Sequence, residues 1–154
     1  MLENFTTTLK LLGGSIILRP YVYLFFICFL VFAIKHLGIL RTVFFLICTY
    51  LIAFACEYSS TRNGFPFGLY TYIDTTRDRE LWISNVPFWD SLSFVFLSYF
   101  SWLMAAFVTA PKRDLNSGLT SRVTPLLGGV LMMLLDVVID PVALQGHKWF
   151  LGQI

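Results

Sequence analysis

Charge is scarce in this sequence. Only 13% of the 154 residues are Asp, Glu, Lys or Arg, whereas a soluble domain carries about 25%. The eleven basic and nine acidic residues leave a net charge of +2, which offers little attraction to a polyanion such as a nucleic acid. Together with a mean hydropathy of +0.74, this composition excludes a disordered chain, a nucleic-acid-binding protein and an ordinary soluble enzyme.

Cysteines and metal-binding spacings are also few. Cys28, Cys48 and Cys56 all lie in apolar segments. Cys48 and Cys56 would be about 12 Å apart along one helix, which is too far for a disulfide. The sequence contains no C-x-x-C pair and no spacing typical of a metal site. We therefore expect no bound metal and interpret the cysteines as small buried apolar residues.

Long apolar runs account for much of the chain. They are too long for the strands of a small soluble sheet, and their length suits helices that cross a bilayer. The expected fold is all-α, a polytopic transmembrane helix bundle that forms one integral membrane domain over residues 1–154. We place the spans near residues 20–38, 39–57, 88–110 and 124–144, with a motif-bearing loop over 58–87.

Local signals refine these boundaries. Prolines after Arg19 and Thr124 are typical of helix starts, and Asp140-Pro141 is predicted to end or kink the fourth span. Residues 1–18 carry apolar side chains at spacings of three and four, which predicts a short amphipathic helix on the membrane surface. Gly13-Gly14 is predicted to break this helix, and Gly128-Gly129 to let another helix approach closely.

The connections between spans carry a weak orientation signal. Four spans place both termini and the 58–87 loop on one side of the membrane. The short connections at 35–41 and 111–122 are rich in Lys and Arg, so the positive-inside rule puts them in the cytoplasm. Lys10 and Arg19 favour the opposite orientation.

Four acidic residues are predicted to lie near one depth of the membrane. Acids within a membrane are costly and usually functional, so we take these four as candidate catalytic residues: Asp136, Glu57, Asp140 and Asp90. Three have alternative roles. Asp90 could cap the third span, Asp140 could only terminate the fourth, and Glu57 could pair with Arg62 at the surface. Asp136 has no such local role.

The loop between the second and third spans is the other region dense in signals. Asn63-Gly64 predicts a turn, and the aromatic residues that follow surround a Pro-Gly bend. The T-T-R-D-R-E-L-W segment at 75–82 is charged and is predicted to be solvated. The aromatic residues form either a belt at the membrane interface or a lid over an apolar ligand beside the acids.

These motifs resemble the carotenoid biosynthesis membrane proteins, among them the carotenoid 1,2-hydratases that act on bisanhydrobacterioruberin and γ-carotene ends. The resemblance covers residues 50–150 and is carried, in order, by Glu57, N-G-F-P-F-G-L-Y-T-Y at 63–72, Val86-Pro87, Trp102, Asp136 with Asp140-Pro141, and Trp149. It adds candidate substrate-binding residues: Phe65, Pro66, Phe67, Gly68, Tyr70, Tyr72, Trp102 and Trp149. In the family, the segment before Val-Pro is shorter and contains glycine. The proteins of the family are also longer than this chain. We therefore expect this chain to be C-terminally truncated.

The resemblance implies a cofactor-independent hydro-lyase in a prokaryotic cytoplasmic membrane. Its partners would be membrane lipid and a carotenoid substrate, with the oligomeric state left open. A carboxylic acid would protonate a terminal C=C bond, and water would capture the cation. Burial and neighbouring carboxylates raise the pKa of such an acid, and aromatic faces stabilise a cation. An end-group cyclase, a non-catalytic polyene- or lipid-binding subunit and an ion carrier remain as alternatives.

Overall fold

The computed structural model describes residues 2–72, 74–109 and 123–144, with positions 2–5, 75 and 140–144 described by their backbone alone. Five helices dominate it: α1 (Leu2–Leu18), α2 (Pro20–Leu37), α3 (Ile39–Asn63), α4 (Phe88–Thr109) and α5 (Val123–Leu144). Between α3 and α4 lie a 3-10 turn (Asp74–Thr76) and a two-stranded antiparallel ribbon of β1 (Trp82–Ile83) and β2 (Val86–Pro87). The predicted all-α bundle is confirmed.

Three of these helices, α2, α3 and α4, are long and apolar enough to cross a membrane. In α5, the apolar stretch within the described residues is shorter and covers Val123–Ile139. The outward faces of the helices are apolar: Leu40 is 86% exposed and Leu126 is 72% exposed. Such surfaces are stable against lipid and identify a membrane protein.

Glycines in the left-handed region set two helix ends. Gly38, with a φ of 83°, separates α2 from α3, and its N–H donates to the Ile34 carbonyl. Gly64, with a φ of 79°, ends α3, and its N–H donates to the Ser60 carbonyl. Only glycine adopts such angles without steric cost. As a result, α3 continues six residues beyond Glu57, which lies inside a helix and not at its end.

The predicted break of α1 is wrong, and the fourth span does not end at Asp140-Pro141. Helix α1 passes through Gly13-Gly14 and ends at Leu18. Each glycine costs a helix about 1 kcal/mol relative to alanine, but contacts with the rest of the fold offset that cost: the Tyr23 hydroxyl donates to the Leu12 carbonyl at 3.0 Å. Helix α5 passes through Asp140-Pro141 to Leu144, since one proline removes only one helical hydrogen bond and membrane helices tolerate this loss.

The core lies between α2 and α4. Phe29 and Tyr99 are buried at its centre with their rings edge to face, 5.3 Å apart. Helix α4 also contacts α3 and α5, so it is the central helix of the bundle. The predicted close approach occurs at Gly128, where an added Cβ would lie 3.4 Å from the Trp102 Cα atom, whereas Gly129 faces open space. This packing determines which residues of α3, α4 and α5 face each other.

Candidate functional site

Glu57 is a buried acid between α3 and α4. It is only 1% exposed, and its Oε2 atom accepts a hydrogen bond from Ser91 Oγ at 2.7 Å. Its Oε1 atom is also buried and accepts no hydrogen bond from the part of the chain that the structure describes. Ser91 therefore orients one oxygen of the carboxyl group, and the Tyr72 side chain also interacts with this group.

The alternative surface pair of Glu57 with Arg62 is wrong. The Arg62 guanidinium donates to Asn85 Oδ1 at 3.0 Å and lies 3.5 Å from the centre of the Tyr58 ring. Packing against α4 turns the Glu57 face of α3 into the bundle, while Arg62, more than a turn later, reaches the loop.

Asp90 is the third residue of α4, so it lies inside the helix and not at the flanking N-cap position. Its Oδ2 atom accepts a hydrogen bond from the Tyr72 hydroxyl, so Asp90 has a tertiary contact beyond its place in the first turn of the helix. Burial raises the pKa of the Tyr72 phenol, and the nearby carboxyl groups of Asp90 and Glu57 raise it further. The phenol consequently stays protonated and acts as a hydrogen-bond donor.

Asp136 brings a third helix to the same place. It is partly buried on α5 and lies close enough to Glu57 and Asp90 to interact electrostatically with both. The structure therefore brings together three of the four predicted acids, one from each of three helices. Asp140 is one turn further along α5, and its side chain lies outside the described residues.

The 63–72 segment folds back toward these acids through a tight turn. The Phe65 N–H donates to Asn63 Oδ1 at 2.9 Å, and the Phe67 N–H donates to Ser60 Oγ at 3.0 Å. Gly68, with a φ of 97°, allows a backbone turn that other residues rarely adopt. The turn thus ties the predicted aromatic motif to the end of α3.

The predicted substrate-binding residues of this segment divide into two groups. Phe65 is 74% exposed and Phe67 is 50% exposed; Pro66 and Gly68 are exposed as well. Phe67 also stacks on Phe94 of α4 with ring centres 6.0 Å apart. The first part of the motif therefore faces outward, where it can contact lipid or an apolar ligand.

Tyr70 and Tyr72 lie further inside. Their hydroxyl oxygens are 3.4 Å apart, and the Tyr72 ring meets the edge of Trp82 in β1 at 5.9 Å. Tyr72 is thus the member of the motif that reaches the acids, and Trp82 supports it from the ribbon.

The other two predicted substrate-binding residues are tryptophans. Trp102 lies twelve residues after Asp90 on α4, about 18 Å further along the helix. Its ring stacks with His36 near the end of α2 at 5.6 Å. The structure therefore does not bring Trp102 to the acids. Trp149 lies outside the described residues.

Sequence reasoning missed the ion pair beside this site. Arg19, between α1 and α2, donates from its Nε atom to Glu80 Oε2 at 2.9 Å and from Nη2 to Oε1 at 3.0 Å. Both side chains are at most 4% exposed. The prediction that residues 75–82 are solvated is therefore wrong for Glu80. No local spacing signals a partner 61 residues away.

Ser91 was missed as well, because a serine beside an acid at a helix start is common and carries no specific signal. Within the described residues, no group of three His, Cys, Asp or Glu side chains is arranged to hold a metal ion. What the arrangement offers chemically is carboxyl groups that can hold and exchange a proton in a mostly apolar setting.

Comparison with known proteins gives one match. A family model described as "carotenoid biosynthesis protein" matches residues 18–153. The match takes in helices α2 to α5 and the loop that carries Tyr72 and Glu80. No curated protein and no solved structure matches the chain.

Proposed function

We propose that this chain, which belongs to the carotenoid biosynthesis protein family, adds water to a terminal C=C bond of a linear carotenoid. It would do so as a multi-pass protein of a prokaryotic cytoplasmic membrane. The observation that carries the proposal is Glu57, a buried acid on α3, beside Asp90 of α4 and Asp136 of α5. Acids inside a membrane protein are expensive to keep and are usually functional.

The proposed reaction needs only proton transfer and water. A protonated carboxyl group donates its proton to the CH carbon of a terminal isopropylidene group, and the positive charge forms on the tertiary carbon. Water bonds to that carbon through its oxygen, and a carboxylate removes the extra proton. The product is a tertiary alcohol, and transfer of the proton between the carboxyl groups restores the starting state. No cofactor takes part.

The geometry supports different roles for the acids. Glu57 is the proton donor, since it is buried beside two other acids and Ser91 fixes one of its oxygens. Asp90, which accepts the Tyr72 hydrogen bond, serves with Asp136 as the acceptor of the proton from water. Repulsion between neighbouring carboxylates favours a state in which one of them keeps a proton. The faces of Tyr72 and Trp82 stabilise the cation.

The substrate class suits the membrane setting. A linear carotenoid is about as long as the bilayer is thick, so its polyene can lie along the apolar helix surfaces while one end reaches the acids. The exposed rings of Phe65 and Phe67 provide an apolar surface next to that end.

The test is the pigment profile of cells that make a linear carotenoid and express this chain. We expect a tertiary alcohol from the wild-type chain and much less from Asp136→Asn, at equal protein levels in the membrane by blot. The amide of Asn is close to the carboxylate in shape but cannot accept the proton from water at neutral pH. Cells that carry the empty vector give the background pigment profile.

Other products would decide against the proposal. A ring at the end group would favour a cyclase, which shares the first protonation but requires a site that excludes water. Unchanged linear pigment from a well-inserted wild-type chain would favour a non-catalytic polyene-binding subunit. Full hydration by Asp136→Asn would remove Asp136 from the mechanism.

A further inference from the structure

The buried ion pair between Arg19 and Glu80 has no role in the steps above. Buried ion pairs are weak sources of stability, because removing two charges from water costs about as much as their attraction returns. This pair is bidentate, with N–O distances of 2.9 and 3.0 Å, a geometry that fixes direction as well as distance. It joins the α1–α2 junction to the segment before α4, which we call the 74–87 segment.

Two further contacts attach the 74–87 segment in the same region. Gly14 of α1 lies so close to the Arg79 carbonyl oxygen that an added Cβ would overlap it. At the other end of the segment, the Phe88 N–H donates to the Leu81 carbonyl at 2.9 Å. The segment is therefore held on one side by α1 and on the other by the start of α4.

The fixed segment reaches the candidate site through Trp82. Trp82, two residues after Glu80, packs edge to face with the Tyr72 ring at 5.9 Å, and Tyr72 donates to Asp90. Asp90 also interacts electrostatically with ionisable groups from several elements: Arg19 and Glu80 from the ion pair, Tyr21 from α2, Glu57 from α3, Tyr72 from the loop and Asp136 from α5.

We propose that Arg19 and Glu80 are positioning residues: their ion pair fixes the 74–87 segment so that Trp82 and Tyr72 hold the Asp90 carboxylate beside Glu57. This inference rests on the proposed hydration for its effect on rate, but its structural part stands without that reaction. Two apolar side chains in place of Arg19 and Glu80 would fill the same volume. They would not fix the orientation of the 74–87 segment, because apolar contacts have no preferred direction.

The key variant is Glu80→Gln, which keeps the shape of the side chain and removes its charge. Arg19→Lys keeps the positive charge but replaces the planar two-pronged contact by a single ammonium group. Asp74→Asn is the matched control, because Asp74 forms an exposed ion pair with Arg77 in the same segment. Each full-length variant is reconstituted in lipid vesicles with lycopene as the linear polyene.

Two readouts are measured. Trypsin cleavage after Arg77 and Arg79 reports how firmly the segment is held, independently of activity. We expect Glu80→Gln to be cleaved severalfold faster, because local opening of the segment becomes easier. The second readout is the rate of alcohol formation: kcat should fall at least about tenfold while KM changes less than about twofold, since orientation of the reacting groups is lost but the polyene-binding surface is not.

Arg19→Lys should lie between wild type and Glu80→Gln in both readouts, and Asp74→Asn should match wild type. If Glu80→Gln does not accumulate in the membrane, Arg19→Lys decides the question by the same criteria. Wild-type cleavage rates in both variants would overturn the proposal, as would faster cleavage with an unchanged kcat. If the wild-type chain forms no alcohol, the hydration proposal fails, and the cleavage comparison still decides whether the pair holds the segment.

Discussion

Replacement of Glu57 by Gln tests the proton donor directly. The amide of Gln is nearly the same shape as the carboxyl group, and its oxygen can still accept the hydrogen bond from Ser91 Oγ, which spans 2.7 Å in the wild type. We therefore expect the free energy of unfolding to change by no more than about 1 kcal/mol, the net value of one such hydrogen bond. The protein should reach the membrane at its normal level.

The loss of chemistry should be much larger than the loss of stability. A positioned general acid contributes about 10²- to 10⁴-fold to a rate, and each tenfold corresponds to about 1.4 kcal/mol of activation free energy. An amide cannot protonate an alkene, so Glu57→Gln should lower the rate of alcohol formation by about that factor. The expected signature is a large kinetic effect with a small effect on folding.

The assay combines extraction of pigments from cells that make the linear precursor with a blot for the protein in membranes. Ser91→Ala is the matched control. It removes the group that orients Glu57 but keeps the acid, so we expect a smaller loss of about tenfold. Normal alcohol formation by Glu57→Gln would refute its role as the donor. Disappearance of the protein would show that Glu57 acts in folding.

Three further changes test other parts of the structure. Tyr72→Phe removes the donor to Asp90 while keeping the ring contact with Trp82, so product formation should fall by about tenfold; an unchanged rate would make that hydrogen bond irrelevant. Gly14→Ala should lower the free energy of unfolding by about 1–3 kcal/mol, because the new Cβ atom would overlap the Arg79 carbonyl oxygen. Gly13 faces open space, so Gly13→Ala should raise the free energy of unfolding by up to about 1 kcal/mol. Thermal unfolding in detergent compares the two variants, and equal shifts would contradict the contact between Gly14 and Arg79. Cysteines placed at Asn63 and at Asn116, which lies outside the described residues, should be labelled from opposite sides of the membrane, and labelling from one side would reject the four-span topology.

Part of the candidate site could be predicted from topology alone. Consecutive spans reverse direction, so the end of one and the start of the next lie at the same depth. That argument predicts that Glu57, Asp90 and Asp136 lie together, and the structure brings the three close enough to interact. It could not choose between surface and interior for Glu57, because the choice depends on how α3 is rotated about its axis.

The amino-acid sequence by itself determined the class of the protein and the limits of α2, α4 and α5. Apolar runs of helix length leave no other stable arrangement in a bilayer, where each backbone polar group must be satisfied internally. This is why the observed α2 and α4 begin and end within about a residue of their predicted limits. The resemblance of the 63–72 motif to a family, now matched over residues 18–153, also depended on sequence alone.

Only the tertiary structure decided which polar groups meet. Arg19 and Glu80 form an ion pair although no local sequence periodicity connects them. Tyr72 contacts the acids and Phe65 does not, and this difference depends on the path of the turn between them. Helix α1 continues through Gly13-Gly14 because contacts from distant segments outweigh a local propensity of about 1 kcal/mol per glycine. A local sequence pattern reflects the conformational preference of one segment in isolation. The contacts described here arise from packing between segments that are far apart in the chain.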